Sequence, residues 1–281
     1  MLARAKINLY LHVVGRRPDG YHLLDSLVVF AETGDEIAVA PSDTLSLKIV
    51  GPFAGHLAAD DDNLVLRAAR GLRDLAGIET GAAITLTKNL PVASGIGGGS
   101  ADAAATLDAL AAFWKIAPEQ AALERLALTL GADVPVCLAG KASFMGGVGE
   151  EVVSAGKLPS AHILLVNPGI ATPTPAVFKA RLGGFSNAGR WDQPPANAQA
   201  LAAALMTRGN DLTEAAITVT PAIRDVLAAI GETEHCLLAR LSGSGATCFG
   251  IYADAADAAA AQRAIRAVQP SWWAVAAPIS G

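Results

Sequence analysis

PVASGIGGGSADAAATL, residues 91–107, packs four glycines, Gly95, Gly97, Gly98 and Gly99, between a strand-like run, AITLTKNL (83–90), and a helix-like run from about Ser100 to Trp114. Glycine admits positive φ and lets a ligand come close to the backbone. Ser100 is a good helix cap, and the amide hydrogens of a helix start lack intrahelical partners, so an anion can take them. A helix dipole contributes only about 0.3–1 kcal/mol near a surface. A charge-assisted hydrogen bond contributes about 1.5–3 kcal/mol. Several loop amides therefore outweigh the dipole, and a triphosphate is a suitably charged guest. Small side chains from Ala101 to Ala105 let the helix start lie close to it. A purely structural turn has no use for three consecutive glycines, which lose backbone entropy on folding. The Walker pattern GxxxxGK[ST] is absent, and the dinucleotide fingerprint fails at Ser100, where it needs a third glycine.

Upstream, residues 6–14 alternate: Ile7, Leu9, Leu11 and Val13 point one way, and Lys6, Asn8, Tyr10 and His12 the other. The pattern predicts a strand with one polar face. Lys6 and Asn8, about 6.6 Å apart along such a strand, present a cation and an amide to one ligand, or else form part of a solvated face. RRPDG (16–20) reads as a turn leading into Tyr21 and His22, an aromatic and a histidine suited to stacking on a base. SLVVF and DEIAVA read as separate short strands. Residues 62–76 read as a helix capped by Asp62 or Asn63.

Downstream, a helix over about 119–130 stops at Gly131, and Asp133 follows inside LGADVPVCL, as a turn cap or as a carboxylate available for proton transfer. HILLVN (162–167) reads as a strand. PTPAVFKARL opens a helix with Thr174 as N-cap and Pro175 in its first position, which puts Phe178 in the first turn. Residues 183–199 are turn-rich. Helices follow near 198–206, 221–230 and 254–267, and strands near 237–242 and 247–252 flank a second glycine cluster, SGSGA (242–246). This order predicts an α+β chain in two halves, 1–150 and 151–281.

Composition narrows the function classes. The 281 residues are 52% hydrophobic and 17% charged, with a formal net charge of −5, which fits a packed globular chain and not a disordered one. With no dense basic run, nucleic acid is not an expected partner. No stretch approaches the ~20 apolar residues of a membrane span, and Lys6, Asn8 and His12 break the continuity a signal peptide needs. Cys137, Cys236 and Cys248 form neither a CxxC pair nor a metal set and read as buried, reduced thiols. A cytoplasmic protein, as monomer or dimer, is expected.

PVASGIGGGSADAA resembles the phosphate loop of the GHMP kinase superfamily, and SGSGAT (242–247) resembles its third motif, a glycine turn that supports that loop. AKINL (5–9), RPDGYH (17–22), GADVP (131–135) and NPGIATPTPAVF (167–178) resemble more narrowly those members that phosphorylate a cytidyl-bearing alcohol. Together the matching blocks run from residue 5 to about 250. The resemblance implies a two-domain GHMP kinase fold, with a ribosomal protein S5 domain 2-like N-terminal half and a ferredoxin-like α/β C-terminal half. It implies ATP as co-substrate with Mg²⁺. The ATP site would comprise Pro91, Val92, Ala93, Ser94, Gly95, Ile96, Gly97, Gly98, Gly99, Ser100 and Ala101, with the Ser100 hydroxyl also a candidate metal ligand. Lys6 and Asp133 would be catalytic, Asp133 taking the hydroxyl proton. Asn8, Tyr21, His22, Thr174 and Phe178 would bind substrate, with Tyr21 and Phe178 stacking on the cytosine and His22 bonding to it. The sequence departs from the family at Ile96 for leucine, Asp102 for asparagine and Val28 for an aromatic. The alternatives are another superfamily kinase, such as a homoserine kinase, or a nucleotide-binding protein without catalysis.

Overall fold

A computed structural model describes residues 1–60 and 62–280; Gly281, the last residue of the expected second half, lies outside them. In chain order the strands are β1 (Leu2–Arg16), β2 (His22–Ala40), β3 (Leu45–Val50), β4 (Ala82–Thr87), β5 (Ser143–Gly147), β6 (Glu151–Ser154), β7 (His162–Asn167), β8 (Leu238–Leu241), β9 (Cys248–Tyr252) and β10 (Trp273–Ser280). The helices are α1 (Leu64–Ala76), α2 (Gly98–Trp114), α3 (Gln120–Leu130), α4 (Val134–Ala139), α5 (Thr174–Ala180), α6 (Ala198–Met206), α7 (Thr213–Val219), α8 (Ala222–Gly231) and α9 (Ala255–Val268). No helix among the described residues is long and apolar enough to cross a membrane.

Two compact units are built from non-contiguous segments. The first comprises Met1–Ala5, Thr33–Val92 and Gly97–Gly140; the second comprises Lys6–Glu32, Ala93–Ile96 and Lys141–Gly281. This partition is not the linear one at residue 150, because residues 6–32 and 93–96 fall in the second unit.

In the first unit, β4 runs parallel to β3 and antiparallel to the end of β2, with Ile84 opposite Val39 and Leu47. Ile37, Ile84 and Leu86 pack against Val65, Ala69 and Leu72 of α1 and Ala103, Leu107 and Leu110 of α2 in one apolar cluster. Asn63 caps α1, its side chain accepting from the Val65 amide at 3.0 Å, an arrangement worth about 1 kcal/mol. Gly131 ends α3 as expected, although its φ of 164° is extended backbone.

In the second unit, β10, β7, β9 and β8 are successive antiparallel neighbours, and Ile279 of β10 pairs with Ala31 of β2. Leu164, Val166, Val226, Ile230, Cys248 and Ile265 belong to the core shared by this sheet and its helices. The free thiols differ in depth: Cys248 is buried, as expected, whereas Cys137 and Cys236 are only partly so.

Four local expectations are corrected. SLVVF and DEIAVA are parts of one 19-residue strand, β2, not two. The strand runs through Gly34, where a Cβ would overlap the Ala3 carbonyl oxygen and lie 2.7 Å from its carbon; the glycine there is read as a close approach and not as a turn. The polar face of β1 is not solvated: Lys6, Asn8, Tyr10 and His12 are all buried. Ser100 does not cap α2, which starts two residues earlier at Gly98 behind a left-handed Gly97 (φ 63°). Thr174 does not cap α5 either; Pro173 holds that position, and Thr174 is the first helical residue.

Candidate active site

Within the second unit the two glycine clusters interlock. Thr247 donates its amide to the Ser94 carbonyl at 3.0 Å, and the Ser242 hydroxyl donates to the Gly95 carbonyl at 3.0 Å. Gly95 has φ of 76°, and a Cβ there would overlap the Ser242 carbonyl oxygen and lie 2.7 Å from the Gly245 nitrogen. Gly243, at φ 55°, would place a Cβ 2.8 Å from the Gly95 oxygen. Neither position admits a side chain, so SGSGA supports the loop through backbone contact. Asn210 fixes this turn from behind, donating to the carbonyls of Leu241 (2.9 Å) and Gly243 (2.8 Å), and Asn167 donates to the Thr247 hydroxyl at 2.9 Å.

The same loop carries β1. The Lys6 amide donates to the Ile96 carbonyl at 3.0 Å, and the Asn8 amide donates to the Ser242 hydroxyl at 3.2 Å. The Lys6 ammonium, on a residue only 3% exposed, donates to Asn8 Oδ1 at 2.9 Å, while Asn8 Nδ2 donates to the Ser26 hydroxyl at 2.8 Å. A buried lysine therefore has its backbone fixed to the loop and its side chain oriented by an amide that is itself held.

Tyr21, His22, Thr174 and Phe178 belong to this unit as well. The His22 and Phe178 rings stack with centroids 5.0 Å apart at 23°. Burial lowers the His22 pKa, and Arg16 and Arg181 lower it further, so the ring favours its neutral form, able to donate and to accept. Tyr21 is 66% exposed. Thr174 exchanges a 2.7 Å hydrogen bond with the Ser244 hydroxyl, which links α5 to the second glycine cluster. Val28 is fully buried in β2 opposite Ser143.

The rest of the glycine loop lies in the first unit. α2 opens on Gly98, Gly99 and Ser100, and its first intrahelical bond runs from the Ala101 amide to the Gly97 carbonyl at 2.8 Å. The amides of residues 98–100 thus have no intrahelical acceptor. Asp133 stands at the start of the short α4, and its side chain does not cap that helix. Two residues that the sequence pattern did not single out lie beside this part of the loop: Asp35 on β2, which accepts the amides of Asn89 and Leu90, and Lys88 just after β4. No group of three or more His, Cys, Asp or Glu side chains able to hold a metal occurs among the described residues.

The GHMP kinases N terminal domain family matches residues 63–141, and the GHMP kinases C terminal family matches residues 195–271. The chain is 56% identical over 271 residues to 4-diphosphocytidyl-2-C-methyl-D-erythritol kinase of Paramagnetospirillum magneticum, covering 96% of this chain and 95% of that one. It is 55% identical to the kinase of the same name from Rhodospirillum rubrum, over 99% of this chain and 92% of that one. A crystal structure of 4-(cytidine 5'-diphospho)-2C-methyl-D-erythritol kinase superposes with a TM-score of 0.81 at 33% identity, covering 100% of this chain and 99% of that one. A homoserine kinase from Cytophaga hutchinsonii, at 18% identity and a TM-score of 0.65 over 99% of this chain and 92% of that one, shares the fold.

Proposed function

Since the chain belongs to the 4-diphosphocytidyl-2-C-methyl-D-erythritol kinase family of GHMP kinases, we propose that it transfers the γ-phosphate of ATP to the 2-hydroxyl of 4-diphosphocytidyl-2-C-methyl-D-erythritol. The products are the 2-phosphate and ADP, a step of the non-mevalonate route to isopentenyl diphosphate in the cytoplasm. The observation that carries this reading is the buried Lys6, bonded through its backbone to Ile96 of the glycine loop.

In this reading, residues 91–101 hold the ATP phosphates through backbone amides. The Lys6 ammonium offsets charge on the transferring phosphoryl group, with Asn8 fixing its direction. Asp133 accepts the hydroxyl proton, the substrate oxygen bonds to the γ-phosphorus, and the bond to the β–γ bridging oxygen breaks with its electron pair leaving on ADP. Phosphoryl transfer rests mainly on positioning and charge stabilisation, which suits a site built from glycine turns and one fixed lysine. The stacked His22–Phe178 pair offers an aromatic surface to cytosine, and Tyr21 is exposed enough to cover the base.

Mg²⁺, when bound, would neutralise charge on the phosphate oxygens. Magnesium keeps several waters and leans on substrate phosphates with one or two protein oxygens. The Ser100 hydroxyl in the first turn of α2 is a candidate ligand.

A coupled ADP-release assay tests the reading with the cytidyl substrate, homoserine and mevalonate offered in parallel. Turnover with the cytidyl substrate alone is expected. The Asp133→Asn variant should lose about 10²–10⁴-fold in kcat while its ATP KM stays within a few-fold. Turnover of homoserine instead would assign the chain to a different kinase activity. ATP binding without ADP release on any substrate would make it a binding protein.

A further inference from the structure

Both ends of the phosphate loop are tied to one buried ionic cluster in the first unit. On the entry side, Asp35 Oδ1 accepts the amides of Asn89 (2.6 Å) and Leu90 (2.8 Å), the residues just before Pro91. Asp35 Oδ2 pairs with the Lys88 ammonium. On the exit side, that ammonium donates to Asp102 Oδ2 at 2.8 Å, within α2. The ammonium also lies under the helix start, because a Cβ on Gly98 would be 3.0 Å from Lys88 Nζ and 3.7 Å from Asp35 Oδ2. All three side chains are at most 3% exposed.

Resting on the assignment of residues 91–101 to ATP phosphates, we propose that Lys88, Asp35 and Asp102 are positioning residues that clamp the entry and exit of the loop and so fix the aim of its amides at ATP. The alternation of charges suits this task. A lone Asp102 carboxylate inside the first turns of α2 would repel a polyanion at the helix start. Lys88 offsets it, and Asp35 holds Lys88 in place.

Asp102 Oδ1 has no hydrogen-bond partner among the described residues. Burial raises the Asp102 pKa, Lys88 lowers it and Asp35 raises it, for a value of about 7. These are the charged groups acting on it: Lys88 from the segment after β4, and Asp35 from β2. The other elements packed on α2 meet it with apolar side chains, Val65, Ala68 and Leu72 from α1 and Val134 from α4.

The test uses the full-length protein. An ATP analogue is titrated into wild type, Asp102→Asn and Asp102→Leu, and KM is measured for both substrates. Asn keeps an oxygen for Lys88, whereas Leu removes it and leaves the Lys88–Asp35 pair intact. The expected result is an ATP KM raised about tenfold in D102L, an unchanged KM for the cytidyl substrate, and recovery in D102N. An unchanged ATP KM in D102L, or a parallel rise for both substrates, would overturn the clamp while leaving the loop assignment standing. Failure of the wild type to bind the analogue would overturn the loop assignment and the clamp with it.

Discussion

At the residue scale, the buried charges define the chemistry. Lys6 is read from sequence as one member of a polar strand face, and the structure shows why pattern alone misjudges that face: its polar groups are buried and satisfy one another through Asn8, Ser26 and Ser242. Alternation reveals that a strand has two faces, but not that a loop more than eighty residues away covers one of them. Asp102 illustrates the same limit. Sequence shows a carboxylate just after the glycines; only the fold brings Lys88 and Asp35 to it. Its consequence for stability has a defined sign. The carboxyl has a pKa of about 7 in the fold, against about 3.9 for an unperturbed aspartate. Between those values the folded state binds a proton that the unfolded state does not, so this contribution to stability is present at low pH and lost as pH rises through about 7. Urea unfolding of wild type and D102N at pH 5 and pH 8 checks it. The wild type should gain, relative to the variant, on the order of 2 kcal/mol at the lower pH. The opposite trend would mean that Asp102 is ionised and held by Lys88 throughout.

At the element scale, the strand–glycine loop–helix order was readable because each part has its own local signal. α2, α3, β7 and α6 fall within two residues of their expected bounds, and β4 ends three residues early, at Thr87. What failed were element starts and joins decided by tertiary contact. α2 begins on glycines because Gly97 adopts the left-handed turn and no side-chain cap is used. β2 continues through Gly34 because β1 crosses there. Short α7 and the final strand β10 carried no pattern strong enough to be read, and the partners of β10 lie far away in sequence on β7 and β2. The two halves of the loop should respond differently to a methyl group. Gly95→Ala forces a Cβ into the backbone of the 242–245 turn at a positive φ, and should lower stability by about 1–3 kcal/mol and weaken ATP binding. Gly98→Ala, in helical backbone with no positive φ, meets the Lys88 ammonium at 3.0 Å and Asp35 Oδ2 at 3.7 Å but no backbone atom, and should lower stability by less than Gly95→Ala does. Thermal melts and nucleotide titrations of both variants check the contrast; equal effects would contradict the interlocked turns.

At the scale of the whole molecule, the chain passes between its two units at residues 5/6, 32/33, 92/93, 96/97 and 140/141. A linear reading of composition cannot find such boundaries, because no linker-like stretch marks them. The motif blocks were nonetheless legible, since each is a short contiguous run: AKINL on β1, GYH at the head of β2, the glycine loop, GADVP at the start of α4, and SGSGAT between β8 and β9. Spread over both units, they belong to one proposed reaction, and that reaction leaves a specific chemical mark. The 2-carbon of 2-C-methyl-D-erythritol bears a methyl group and no hydrogen, so a phosphate on its oxygen has no three-bond proton coupling. Proton-coupled ³¹P NMR of the product formed from ATP and 4-diphosphocytidyl-2-C-methyl-D-erythritol should therefore show a new phosphomonoester singlet. A phosphomonoester resonance split by neighbouring protons, or no new resonance beside that of unreacted ATP, would contradict the account.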